Sequence, residues 1–208
     1  MTGILFDLDG TLLDTLEDLK DGVNYALRTL GYPERSLEEV RRFVGNGARK
    51  LMELAVPDGA DGEEAFTVFK PYYDAHCQIK TKPYNGIPEV LECLKEKYPI
   101  AIVSNKPDSA VKALCADYFP GIYALGEAAG CPRKPAPDMV FKAMEAIGVE
   151  TCIYVGDSEV DVPTAQNANV PCLSVLWGFR RREELENNHF CEETSELVDK
   201  LEEMIHVQ

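Results

Sequence analysis

The chain has 208 residues, 45 % of them hydrophobic and 27 % charged, a composition that suits one globular domain or a domain with a modest insertion. Its formal net charge of −15 argues against nucleic acid or an anionic membrane as partner, because such surfaces need clustered Lys and Arg. Seven cysteines without a CxxC pair or zinc spacing read as reduced thiols of a cytoplasmic protein rather than a disulfide framework, and no apolar run approaches the ~18 residues of a membrane span.

The apolar run Ile4–Phe6 is too short for a helix and is cut off by Asp7, as expected of a buried parallel strand and not of a signal peptide. From Thr15 to about Lys82 only helical signals occur. Leu16–Leu30 ends at Gly31, Leu37–Val44 stops at Gly45-Asn46-Gly47, and Ala48–Val56 stops at Pro57. Glu63–Ile79 carries Phe66, Phe69, Tyr72 and Tyr73, with Pro71 expected to kink or divide it. This stretch reads as a small helical bundle inserted after the first strand, with the aromatic residues in its core. Thr81–Gly86 is the expected return linker.

Beyond residue 83 strands and helices alternate. Ile100–Val103, Cys152–Val155 and Cys172–Leu176 repeat the buried-strand pattern, with Gly121–Leu125 a weaker candidate. Helices are expected over Pro88–Lys97, Ser109–Tyr118, Met139–Ile147 (capped by Asp138 and closed by Gly148), Val160–Ala168 and Glu193–Ile205. The predicted fold is α/β: a Rossmann-like open parallel sheet flanked by helices, with core residues 1–14 and 83–208 and an all-α cap over 15–82.

Ligands of such a sheet bind beyond the carboxyl ends of the strands. The first strand runs into Asp7-Leu8-Asp9-Gly10-Thr11, the second into Ser104-Asn105-Lys106, and the third into Gly156-Asp157-Ser158-Glu159 with Asp161 beyond. Arg133-Lys134-Pro135 lies in the loop before the third. Each piece alone reads as a turn, a helix start or a surface charge. Together, carboxylates from different strands at one edge repel unless a cation joins them, and hard oxygen ligands beside Ser, Asn and Lys donors suit Mg²⁺ and phosphate.

As a set, Asp7-Leu8-Asp9-Gly10-Thr11-Leu12, Ser104-Asn105, Lys134-Pro135 and Gly156-Asp157-Ser158 with Asp161 resemble the four motifs of the haloacid dehalogenase-like hydrolase superfamily, in particular its phosphoglycolate phosphatase branch with a helical cap. The resemblance covers nearly the whole chain. It implies Asp7 as the nucleophile that becomes an aspartyl-phosphate and Asp9 as general acid and base. It implies Asp7, Asp9, Asp157 and Asp161 around Mg²⁺, and Ser104, Asn105, Lys134 and the Gly10 region around phosphate. It further implies that the loop containing Asn46, Gly47 and Arg49 selects the leaving group. A carboxylate-bearing ester such as 2-phosphoglycolate suits a cationic loop. A β-phosphoglucomutase or pyrophosphatase activity on the same layout stays open, and a catalytically silent binding module is the non-enzyme alternative. The expected partner is a small phosphorylated metabolite, for a monomer or homodimer.

Overall fold

The computed structural model describes residues 1–128 and 130–207. A parallel six-stranded sheet has the order β5-β4-β1-β6-β7-β8. Its strands are β1 (Thr2–Phe6), β4 (Ile100–Pro107), β5 (Tyr123–Glu127), β6 (Thr151–Gly156), β7 (Cys172–Val175) and β8 (Phe190–Cys191). β1 is central: Ile4 registers with Ile100 on one side and with Ile153 on the other. Successive side chains of a strand point to opposite faces. Ile4 and Phe6 therefore join Leu91 and Leu94 of α5 (Ile87–Lys95), Leu114 of α6 (Asp108–Tyr118) and Leu201 of α9 (Leu197–Val207). Leu5 joins Met139 and Val140 of α7 (Asp138–Ile147) and Ala165 of α8 (Asp161–Ala168) on the other face. Both faces are covered, which explains why these strands read as continuous apolar runs.

Residues 16–76 form four helices: α1 (Leu16–Thr29), α2 (Leu37–Phe43), α3 (Gly47–Ala55) and α4 (Gly62–His76). They enclose their own apolar cluster of Leu27, Val40, Leu51, Met52, Phe66 and Phe69, joined from the far end of the chain by Phe179. Ser36 caps α2 in a reciprocal box with Glu39. The chain leaves and re-enters the sheet layer through a two-stranded antiparallel pair, β2 (Leu13–Asp14) with β3 (Lys82–Pro83). The Asp18 carboxylate accepts the backbone N–H groups of Lys80 and Thr81 beside it.

Two local expectations are corrected. Pro71 does not divide its helix, since α4 runs unbroken from Gly62 to His76. Pro71 is exposed, so water can reach the carbonyl its missing N–H leaves free, while Phe66, Phe69 and Tyr73 anchor the opposite side. Asp138 lies inside the first turn of α7 and Pro137 holds the cap position. Among the described residues no helix is long and apolar enough to cross a membrane.

Candidate active site

The carboxyl ends of β1, β4 and β6 meet the loops before α7 and after β7. One cavity lies there, between the sheet edge and the four-helix segment. Its floor includes Asp7, Asp9, Ser104, Asn105, Lys106, Lys134 and Ser158. Its roof includes Leu19, Val44, Gly47, Leu51 and Tyr73. Asp7, Ser104 and Lys134 are all buried.

Oxygen atoms of Asp7, Asp157 and Asp161 lie within 4.8 Å of one another. Lys134 Nζ reaches Asp7 at 2.9 Å and Asp161 at 2.8 Å. It also donates to the Tyr154 hydroxyl at 3.0 Å, a contact hidden in the sequence because Tyr154 reads as one more apolar strand residue. Asp161 accepts the Ser158 amide and hydroxyl on its second oxygen. Asp157 accepts the Thr11 hydroxyl at 3.0 Å and the Phe179 amide at 2.7 Å, but among the described residues no ammonium or guanidinium is paired with it. Burial, reinforced by Asp161 and Asp7, pushes the Asp157 carboxyl well above its usual range. Burial likewise raises the Asp7 carboxyl to about 7, against the opposing pull of Lys134. Anions so placed call for a cation.

The glycines here serve close approach. Gly10 has φ +86°, and a Cβ there would collide with the Asp157 carboxylate. A Cβ on Gly156 would strike Asp161, and one on Gly178 would strike Asp157. Substitution at any of them displaces the acidic cluster.

Asp9 has its own partner. Lys106 Nζ lies 3.0 and 3.3 Å from the Asp9 oxygens and 2.6 Å from the Tyr73 hydroxyl of α4. Burial alone would lower the Lys106 ammonium, but Asp9 and Tyr73 outweigh it and the group is raised. In the sequence Lys106 stands as a cation after the second strand, and nothing there pairs it with Asp9 or Tyr73. The signal lay in its position one residue after Ser104-Asn105, and Tyr73 passed as bundle core.

Two expected phosphate donors are engaged elsewhere. The Asn105 amide donates to the carbonyls of Gly45 at 3.2 Å and Lys134 at 3.1 Å, and its oxygen accepts the Lys134 N–H. The Gly10 N–H is bonded to the Leu13 carbonyl at 2.9 Å. Of the loop expected to contact the leaving group, Gly47 lines the cavity and Asn46 and Arg49 do not. Arg49 instead pairs with Glu63 and lies over the Phe66 ring. Gly47 heads α3 with φ +81°, so the helix starts at the cavity wall.

The chain matches the haloacid dehalogenase-like hydrolase family over residues 4–175. It is 35 % identical to the phosphoglycolate phosphatase of Aquifex aeolicus over 187 residues, 86 % of each chain. It is 32 % identical to that of Pseudomonas putida over 216 residues, 97 % of this chain and 78 % of the relative. A crystal structure of a candidate phosphoglycolate phosphatase from Lactobacillus delbrueckii subsp. bulgaricus superposes with a TM-score of 0.89 at 35 % identity, covering 96 % of this chain and 98 % of the other. Profile, sequence and fold agree with the clustered motif residues, and the chain belongs to the haloacid dehalogenase-like hydrolase family.

Proposed function

We propose that this protein is a cytoplasmic, magnesium-dependent phosphatase that hydrolyses a small phosphate monoester, with 2-phosphoglycolate as the substrate suggested by relatives named phosphoglycolate phosphatase. As a member of this hydrolase family with phosphoglycolate phosphatases as relatives, it is a phosphoric monoester hydrolase. The observation that carries the metal dependence is the buried group Asp7, Asp157 and Asp161, whose oxygens lie within 4.8 Å of one another. Four carboxylates, at Asp7, Asp9, Asp157 and Asp161, face two ammonium groups, at Lys106 and Lys134. The remainder of two negative charges suits one divalent cation, and the all-oxygen donor set suits Mg²⁺. Asp7, Asp157 and the Asp9 carbonyl would hold it, with Asp161 behind them or joined through water. When bound, Mg²⁺ screens the repulsion between carboxylate and phosphate and stabilises charge on the transferring group.

The chain's own residues do the rest. The Asp7 carboxylate attacks phosphorus, forming an aspartyl-phosphate as the ester oxygen departs. Asp9 gives that oxygen its proton and then takes one from the water that cleaves the intermediate. Lys134, held by Asp161 and Tyr154, keeps a positive charge against the phosphoryl oxygens. Ser104 lines the cavity beside it and offers a hydroxyl. Lys106 and Tyr73 hold Asp9 in place. Lys106 also lines the cavity and offers a cation for a leaving-group carboxylate, the part first expected of Arg49. The four helices of residues 15–82 act as a cap that excludes water from the reaction.

The test is a panel of phosphorylated metabolites assayed with Mg²⁺ and ranked by kcat/KM. Small carboxylate esters at the top support the proposal. No turnover of any monoester, p-nitrophenyl phosphate included, would reduce the chain to a binding module.

A further inference from the structure

Four consecutive residues after β7 touch the loop after β1, the loop after β6 and the helical segment. The Trp177 indole N–H donates to the Thr11 carbonyl at 3.0 Å, in the loop that carries Asp7 and Asp9. Gly178 lies against Gly10 and Asp157 so closely that no Cβ fits. The Phe179 N–H bonds the Asp157 carboxylate, while its ring is buried in the apolar cluster of the helical segment. Arg180 follows. The run Arg180–Glu184 reads in sequence as a solvated helix start, yet Arg180 is only 6 % exposed.

The reason is its set of acceptors. Arg180 Nη1 donates to the Arg41 carbonyl at 2.8 Å, and Nη2 to the carbonyls of Arg42 at 3.3 Å and Val44 at 2.7 Å. These carbonyls end α2, where a helix has no internal donors left to offer them. Glu159, in the loop that carries Asp157, fixes the guanidinium through Nε at 2.6 Å and Nη2 at 3.0 Å. The bond is returned by Arg41, whose guanidinium donates to the Phe179 carbonyl. A planar fork with five donors suits this; a lysine offers one point of charge.

We propose that Arg180 is the latch of the cap: it holds the Val44–Gly47 roof down over the cavity and so sets the size of leaving group the enzyme accepts. This rests on the phosphatase reading above. Asp7, Ser104 and Lys134 on the floor are buried when the latch is made, so on this proposal a substrate enters as the roof lifts. Lifting the roof strips Arg180 of its three carbonyls, and closing it restores them. A small ester fits under the closed roof. A bulky one holds the roof open and gains nothing from the latch. Because Phe179 bonds Asp157, the same loop ties closure to the acidic cluster. Arg180 is a positioning residue; it reaches the reaction through the roof and does not touch the substrate.

The test compares wild type with Arg180→Ala on 2-phosphoglycolate and on p-nitrophenyl phosphate, with Mg²⁺ in both. Arg180→Ala is expected to lower kcat/KM for the small ester roughly tenfold or more, the range over which a pocket discriminates by size, and to leave the aryl ester unchanged or faster. Glu159→Gln, which frees the guanidinium without removing it, shifts the ratio the same way by less. Where the wild type turns over these esters, equal losses on both, or no loss on either, overturn the latch. Hydrogen exchange reads it without turnover: amides of residues 41–47 exchange faster in Arg180→Ala while those of α5 do not. Unchanged exchange at 41–47 overturns the latch even if the enzyme is active. Faster exchange there in a protein that hydrolyses neither ester upholds the latch and rejects the phosphatase reading instead.

Discussion

The sheet edge and the helical segment that covers it are held together by different physics. At the edge, charged groups from four chain segments meet, and nearly every one has a named partner: Lys134 with Asp7, Asp161 and Tyr154, and Asp157 with Thr11 and Phe179. The helical segment is a cluster of apolar side chains with ion pairs confined to its surface, such as Lys20 with Glu17 and Arg28 with Glu34. A precise arrangement of buried charge tolerates no substitution, whereas an apolar cluster degrades in proportion to the volume removed. Damage to the edge should therefore appear as lost chemistry on an intact fold, and damage to the bundle as lost stability.

The sharpest way to break that contrast is Asp7→Asn. Turnover is expected to vanish while circular dichroism and the unfolding midpoint stay near wild type; residual turnover at wild-type level would remove Asp7 from the chemistry. Chelation comes next. EDTA should stop hydrolysis and Mg²⁺ restore it, and activity that survives exhaustive chelation contradicts the metal assignment. Lys106→Met should lower kcat by about 100-fold, the cost of a catalytic group displaced by an ångström or so. Tyr73→Phe, which keeps the ring and removes one hydroxyl, should cost much less. In the bundle, Phe69→Ala should destabilise the protein by about 3–5 kcal/mol in denaturant titrations, and Ser36→Ala by about 1 kcal/mol through loss of the α2 cap. Arg49→Ala is the smallest: its partner Glu63 is exposed, and surface ion pairs of this kind contribute about 0–1 kcal/mol. A large rise in KM for 2-phosphoglycolate in that variant would return the cap loop to the role first expected of it.

What the sequence made legible follows the same division. The β1, β6 and β7 strands and the ends of α5 to α8 were readable within a residue or two, because buried strands carry unbroken apolar runs and Gly or Pro mark the stops; β4 was readable at its start but continues through the polar Ser104, Asn105 and Lys106 to Pro107, four residues past the expected end. Asp7, Asp9, Asp157 and Asp161 were readable because they follow the ends of β1 and β6, whereas Ser104, inside β4, and Lys134, in the loop before α7, were readable only as parts of a motif set. The partners were not. Tyr154 is a hydrogen-bonding group inside an apolar run, Tyr73 is one ring among several in α4, and Arg180 opens a run of three arginines. Long-range pairing leaves no periodic trace. The roles of Asn105 and Gly10 were legible as donors but not as to what they donate to, since the acceptors at Gly45, Lys134 and Leu13 are set by the fold. The β2–β3 pair is too short to carry any pattern at all.

That pair has a consequence of its own. Leu13 registers with Pro83 and Asp14 with Lys82, so the chain departs and comes back through adjoining positions. A segment whose two ends touch can swing as one piece about that seam without shearing the strands below. It can equally be lengthened, shortened or exchanged for another while the acidic edge stays where it is. A protein built this way can acquire a new specificity by changing its lid alone.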